Sequence, residues 1–272
     1  VKADMHVHSN YSDGSDTVEE VIKKAKANGM THLSFVDHDT TKELELAQAL
    51  GKTYGIKIIP GIEISAYDFK RNRKVHMLGY NYDPDPEHIR DLCEPLLKRR
   101  HELSLWQIER IREEGFHLDP EKVIETAKPS NTVYKQHIMR HLTDAPYTSE
   151  KYQMQYKRLF KGGGAADRDI EYVDAFDAAR AIIADGGTAV VAHPGQLDSF
   201  DIIPELAAVG LGGVERNHMD HSTEDIKKVE ELAQAYNLCM TGGTDYHGSF
   251  GKKIDVGDII SPKNYLLEEI GM

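Results

Sequence analysis

Apolar and polar positions along the first eighty residues switch between two periods. Residues 2–8 and 31–36 read as strands, and 17–28 between them carries apolar side chains at helical spacing. Asp16 with Glu19 three residues on predicts the N-cap of that helix, and Gly29 its end. Residues 41–54 repeat the helical period up to Gly55. Residues 57–59 and 62–65 are strand-like, broken by Pro60-Gly61. The strand pattern returns at 75–80 after the charged turn 70–74, which predicts a hairpin or neighbouring strands.

From residue 84 the rhythm changes. Residues 86–114 form one long charged helix, with Ile89, Leu92, Leu96, Leu103, Ile108 and Ile111 spaced three to seven apart. Shorter helices follow at 120–127, 132–142 and 149–160, and Gly162 to Gly164 reads as a hinge or tight turn. The alternation then resumes: helix 173–185, strand 188–192, helix 201–209, strand 213–216, helix 222–236, strand 238–241. About seven short strands, each leading into a helix, predict an α/β fold, either a parallel barrel or an open parallel sheet. The expected organisation is a body at 1–83 and 170–272, with a helical insertion at 84–169 serving as lid and specificity element.

Composition narrows the function. A chain of 272 residues has room for one α/β barrel or two ordinary domains. Its 45 acidic residues against 33 basic ones leave a net charge of -12, which argues against holding long nucleic acid. A small phosphorylated substrate stays open, because bound cations can invert the local charge. The sequence holds no run of eighteen apolar residues, and so predicts no membrane partner. The opening residues lack the layout of an export signal. Two cysteines, Cys93 and Cys239, make no disulfide framework, and the expected location is the cytoplasm.

The fourteen histidines carry the chemistry. His6 and His8 sit at i and i+2 on the first strand, so both imidazoles share a face. Later strands end in the same kind of residue: Asp37-His38, Glu63, His76, Ala192-His193-Pro194, and Asp245-Tyr246-His247. Asp13 follows the first strand in a short loop. In a parallel barrel these ends converge on one rim, where active sites are built. His6, His8, Asp13, His38, Glu63, His76, His193, Asp245 and His247 are therefore candidate metal ligands. Imidazole with carboxylate suits Mn, Fe or Zn, and nine ligands suggest two or three divalent ions.

In those motifs the sequence resembles the PHP family, the polymerase and histidinol phosphatase domains, which are relatives of the amidohydrolases. The matches are His6-x-His8 with Asp13, Asp37-His38, Glu63, His76, Ala-His193-Pro and Asp245-x-His247, spread over nearly the whole chain. The resemblance is strongest to stand-alone members with a helical insertion, among them 3′,5′-nucleotide bisphosphate phosphatases and a 5′-to-3′ exoribonuclease acting on short RNA. It implies a distorted (β/α)7 TIM-like barrel. It also implies one metal on His6, His8, Glu63 and Asp245, a second sharing Glu63 with His76 and His193, and a third on Asp13, His38 and His247. Metals so clustered would acidify a water and hold a phosphoryl group in line with it. No covalent nucleophile is expected, since Gly-x-Ser-x-Gly is absent and neither cysteine adjoins a metal motif.

Further roles follow from the same resemblance. Lys135 and His137 stand where the subgroup reads Arg-Pro-His and are expected to contact substrate phosphate; a lysine gives only a point charge where an arginine gives a fork. His221 is expected as a substrate contact or leaving-group proton donor, with His218 as the alternative and Asp245 as a catalytic carboxylate. The remaining histidines, the basic cluster 70–74 and Trp106 read as surface or packing residues. The leading expectation is a metal-dependent phosphoesterase acting on a phosphomonoester of a small nucleotide, with a 3′,5′-bisphosphonucleotide first. Its rivals are a 5′-to-3′ exoribonuclease on short oligonucleotides, a C–N hydrolase of the amidohydrolase type, and a non-catalytic metal-bound module, which should have lost ligands.

Overall fold

The computed structural model describes residues 1–263, so the end of the expected body segment, at 264–272, lies outside the described residues. The first half runs β1 (Ala3–Val7), α1 (Val18–Ala27), β2 (His32–Phe35), α2 (Leu44–Tyr54), β3 (Lys57–Ile58), β4 (Gly61–Asp68) and β5 (Arg73–Tyr80). Four helices follow without a strand: α3 (Glu87–Glu113), α4 (Pro120–Ala127), α5 (Lys135–Arg140) and α6 (Glu150–Phe160). The second half is β6 (Val173–Asp174), α7 (Ala175–Ala184), β7 (Thr188–Val191), α8 (Pro194–Leu197), α9 (Ile203–Ala207), β8 (Gly213–Asn217), α10 (Thr223–Tyr236) and β9 (Cys239–Gly242). Among the described residues no helix is long and apolar enough to cross a membrane.

The strands form two sheets, ordered β1-β2-β3 and β6-β4-β5-β7-β8-β9. Backbone contacts join the sheets at both edges. At one, His38 bridges Glu63, with Asp39 N–H donating to the Glu63 carbonyl at 3.0 Å. At the other, Val7 bridges Tyr246, and Asp245 N–H donates to the His6 carbonyl at 2.8 Å. The fold is thus α/β and TIM-like. Its strands are parallel except β5, which runs antiparallel to both β4 and β7, and that reversal is the distortion. It follows from the short turn between β4 and β5, which allows a hairpin where a parallel connection needs a helix.

Side chains from β1, β5, β7 and β9, among them Met5, Leu78, Tyr80, Val190 and Cys239, meet Val36 and Ile59, just past β2 and β3, in one small apolar cluster. A larger core packs α7, α9 and α10 against β4, β5, β7 and β8. A third seats α1 and α2 on β1 and β2. Ile108, Ile111, Val123, Ile138, Met139, Leu159 and Phe160 make a fourth, drawn wholly from residues 108–166.

Local departures from expectation have plain causes. Thr17, not Asp16, caps α1, in a reciprocal box with Glu20; Asp16 instead binds Lys24 and Tyr246. The 173–185 segment opens with a two-residue strand, because Ala66 and Tyr67 of β4 pair with it, and Asp174 then caps α7. Pro194 starts a one-turn helix, α8, that periodicity did not predict. Gly162 and Gly163 form the expected tight turn, both at positive φ.

Candidate metal centre

Val7 packs on α1 and α2, so His6 and His8 on either side of it turn to the opposite face, into the ring of strands. Both are fully buried. His6 Nε2 lies 3.2 Å from Glu63 Oε2 and 3.2 Å from Asp245 Oδ1. His8 Nε2 lies 3.1 Å from each of the same two oxygens. The other oxygen of Glu63, Oε1, is 2.9 Å from His76 Nδ1 and 3.0 Å from His193 Nε2. Glu63 therefore faces two groups at once. Asp13 anchors a third: Oδ1 is 3.2 Å from His247 Nε2, and Oδ2 is 3.5 Å from His38 Nε2. The structure thus brings all nine candidate ligands together, in overlapping sets that could each hold a metal ion.

Two observations bear on whether these residues fit a metal. First, both ring nitrogens of His8, His38 Nδ1 and Asp245 Oδ1 are buried without a hydrogen-bond partner, although carboxylate oxygens lie close by. Close approach without hydrogen-bond alignment is the geometry of ligands aimed at a common point, and buried polar atoms are rarely left unpaired otherwise. Second, the donor set demands positive charge. Burial alone pushes the Asp13, Glu63 and Asp245 carboxyls up, but the surrounding imidazoles outweigh it and hold all three well below the usual carboxylate range. Burial likewise pulls His8 down, yet Asp245 and Glu63 push it up to about 10. Divalent cations meet that demand while leaving the imidazoles neutral, as ligands must be.

Backbone strain concentrates in the same place. His193, Asp245 and nearby Asp39 all sit at positive φ, a conformation costly for residues with a Cβ and typical of functional sites. Gly243 allows β9 to approach β1, since a Cβ there would lie 2.5 Å from the His6 amide nitrogen.

Other side chains hold the ligands. Buried Glu215 accepts from His193 N–H at 2.9 Å and lies 2.7 Å from His6 Nδ1. Asp37 accepts from Ser9 N–H and from the Ser9 and Ser12 hydroxyls. His218 Nδ1 accepts from Asp220 N–H at 3.0 Å, so in the neutral ring the proton is on Nε2, which faces Asp245 Oδ2 at 3.0 Å. His221 is occupied at both ends: Nδ1 donates to the Arg216 carbonyl at 2.7 Å, and Nε2 accepts from Gly195 N–H at 3.1 Å.

Asp13, His38 and His76 open into a cavity of about 250 Å³ whose far wall comes from α3 and the segment around α5 and α6. Four cations line it: Lys74, Arg100, Lys135 and Lys161. Lys74 is paired with Asp169 at 2.7 Å, and Arg100 donates to Ser65 Oγ at 3.0 Å. Burial, together with Lys161, brings the Lys135 amine down to about 8. Lys135 thus faces the cavity. His137 is buried behind the wall, where its Nδ1 accepts from Tyr134 N–H and its ring packs edge-on to Phe250. Sequence reasoning assigned no role to Glu215, Arg100, Lys161 or Gln136, although Glu215 opens the stretch that ends at His221 and Gln136 lies between Lys135 and His137. Lys74 had been read with its surface turn, and Lys70 and Arg71 do stay there, on Glu205.

The PHP domain model matches residues 4–177. A phosphoribosyl 1,2-cyclic phosphate 1,2-diphosphodiesterase from Eggerthella lenta is 50% identical over 93% of this chain and 97% of its own length. A 3′,5′-nucleoside bisphosphate phosphatase from Chromobacterium violaceum is 28% identical over 93% of this chain and 90% of its own. Among solved structures, a protein from Bifidobacterium adolescentis provisionally assigned as a metal-dependent phosphoesterase superposes with a TM-score of 0.89. It is 26% identical, over 98% of this chain and 94% of that one. Motif, fold and site agree: the chain belongs to the PHP domain family and is a metal-dependent phosphoesterase.

Proposed function

We propose that the protein hydrolyses a phosphate ester of a small ribose phosphate that carries a second phosphate, with phosphoribosyl 1,2-cyclic phosphate ahead of a 3′,5′-bisphosphonucleotide. The observation that carries this reading is the pairing, across one small cavity, of the ligand cluster with Lys74, Arg100, Lys135 and Lys161. Among the described residues Lys135 and Lys161 form no ion pair, and two like charges in a confined wall are best satisfied by an anion. The cyclic ester ranks first because the relative named for it shares half of all aligned residues over nearly the full length of both chains.

In this reading residues 84–169 act as the wall that selects the substrate, and Arg100, Lys135 and Lys161 hold its non-reacting phosphate. Three sets would hold divalent ions: His6, His8, Glu63 and Asp245; Glu63, His76 and His193; Asp13, His38 and His247. Mn, Fe or Zn would suit these donors, and when bound they supply Lewis acidity toward the phosphoryl oxygens and toward an attacking water. Glu215 fixes the His6 ring and the His193 backbone. His218 carries its proton on the nitrogen that faces Asp245, so we assign proton delivery to the leaving oxygen to that pair. His221 then serves as a strut between β8 and α8.

The test is phosphorus NMR of the Mn-loaded protein with phosphoribosyl 1,2-cyclic phosphate, a 3′,5′-bisphosphonucleotide and a short 5′-phosphorylated RNA in parallel. The expected result is fastest loss of the cyclic diester signal, abolished in His38→Ala. His218→Gln should lower kcat by about a hundredfold or more, the scale of lost acid–base catalysis, with a far smaller effect from His221→Gln. Preference for the bisphosphonucleotide or for the RNA would overturn the substrate, and equal effects of the two histidine variants would overturn the proton assignment.

A further inference from the structure

Asp13 stands in the loop between β1 and α1, away from any strand, and side chains on both of its sides orient its carboxylate. Its Oδ1 faces His247 at 3.2 Å and His8 Nδ1 at 3.6 Å, and accepts from Ser12 Oγ at 3.3 Å. Its Oδ2 faces His38 and accepts from Gln136 Nε2 at 3.2 Å. Gln136 sits on α5, more than a hundred residues away in sequence, within the helical stretch that packs around its own core. One position before α5, Tyr134 reaches the same group, its hydroxyl donating to the His38 carbonyl at 3.2 Å. Two hydrogen bonds from neighbouring positions thus tie the helical wall to two members of the Asp13, His38 and His247 set.

Gln136 also stands at a junction of the rim. It lines the cationic cavity and a smaller one beyond, which is bounded by Gln196, Asp245, His247 and Lys252. A side chain in that place can fix the Asp13 carboxylate in only one orientation, with Oδ1 left toward His247 and His8.

We propose that Gln136, seconded by Tyr134, is a positioning residue through which the helical wall controls cation occupancy of the Asp13, His38 and His247 group. This rests on the reading of those three residues as ligands. Groups that orient a metal ligand typically set affinity by about 10–100-fold without touching the metal. The wall then acts on the site twice, by shaping the cavity and by completing one metal group when it docks.

The experiment is Mn²⁺ titration of the chelator-stripped full chain, with bound Mn counted by elemental analysis after desalting. His38→Ala defines the class of site that belongs to this group. Gln136→Met, which keeps bulk and removes the donor, should weaken that class by about 10–100-fold and leave the remaining classes within about twofold. Gln136→Ala should do the same, and Tyr134→Phe should act in the same direction more weakly. Unchanged Mn binding in both Gln136 variants, while His38→Ala loses a class, overturns the proposal alone. No loss in His38→Ala overturns the ligand reading beneath it. Metal-free melting curves of the variants identify any that fail to fold, and Gln136→Met carries the test if Gln136→Ala is among them.

Discussion

Glu215 is fully buried, yet it reaches His6 through the ring and His193 through the backbone, and these residues belong to two different candidate ligand sets. Replacing it by Gln removes the negative charge and leaves one acceptor oxygen for two donors. Competition against a chromophoric chelator should show Glu215→Gln binding Mn²⁺ about 10–100-fold more weakly. Lys135 governs a different observable. Its amine is brought down from the ordinary 10.5 to about 8 by burial and by Lys161, so between those values the folded chain binds fewer protons than the unfolded one. By linkage, this group makes stability rise with pH across that window, while below about 8 the buried charge is a cost that an anion relieves. Anion binding needs the charged form, so KM for a diphosphorylated substrate should climb as pH passes about 8. A Lys135→Arg variant stays charged throughout, and the ratio of the two KM profiles should isolate the effect; a constant ratio from pH 7 to 10 would remove Lys135 from substrate binding. That the candidate ligands would converge was legible in sequence, because strand ends repeat one chemistry. Arg100 was not, since a long helix full of charges conceals the one arginine that turns inward to Ser65 and Asp39.

At the scale of elements, the seam between β1 and β9 places four of the nine candidate ligands, and Asp4 holds it closed. Its Oδ1 accepts from Thr244 N–H at 3.0 Å, and its Oδ2 accepts from Thr244 Oγ1 at 2.7 Å and Gly257 N–H at 2.9 Å. Asp4→Ala leaves buried donors without partners, so urea unfolding should show a loss on the order of 3 kcal/mol. A loss below about 1 kcal/mol would mean the seam is held elsewhere. This clasp has no periodic signature, because it joins residues some 240 positions apart. The elements that the pattern did predict are those long enough, or regular enough in their alternation, to show one, from α1, α2 and α3 through α4, α6, α7 and α10 to the short strands β7, β8 and β9. Short ones such as α8 and β6 exist only because a partner does. A two-residue strand needs Ala66 and Tyr67 beside it, and no window of sequence contains that fact. The reversed β5 was half legible, since the turn length allowed a hairpin while the preceding βα rhythm favoured a parallel strand.

Across the whole molecule, the candidate ligands come from β1, β4 and β5, from the segments that follow β2, β7 and β9, and from the loop between β1 and α1. A cation bound at their centre would therefore tie together most of the ring, including both edges where the sheets meet through isolated bridges and a few hydrogen bonds. Binding to the folded state alone stabilises by about 2.7 kcal/mol for each site held at a hundred times its Kd. At about 2–4 °C per kcal/mol for a chain of this size, each ion should raise Tm by about 5–10 °C over the chelator-treated protein. The increments should follow the sharing of ligands. Glu63 serves two groups, one with each oxygen, so Glu63→Gln should forfeit the gain of two ions, whereas His38→Ala should forfeit that of one. Melting curves of the three proteins across a Mn²⁺ series decide the matter. Equal losses in the two variants would mean that the groups fill as one cooperative unit, and no Mn²⁺-dependent shift in the parent chain would mean that the ring of strands closes without help from the ions.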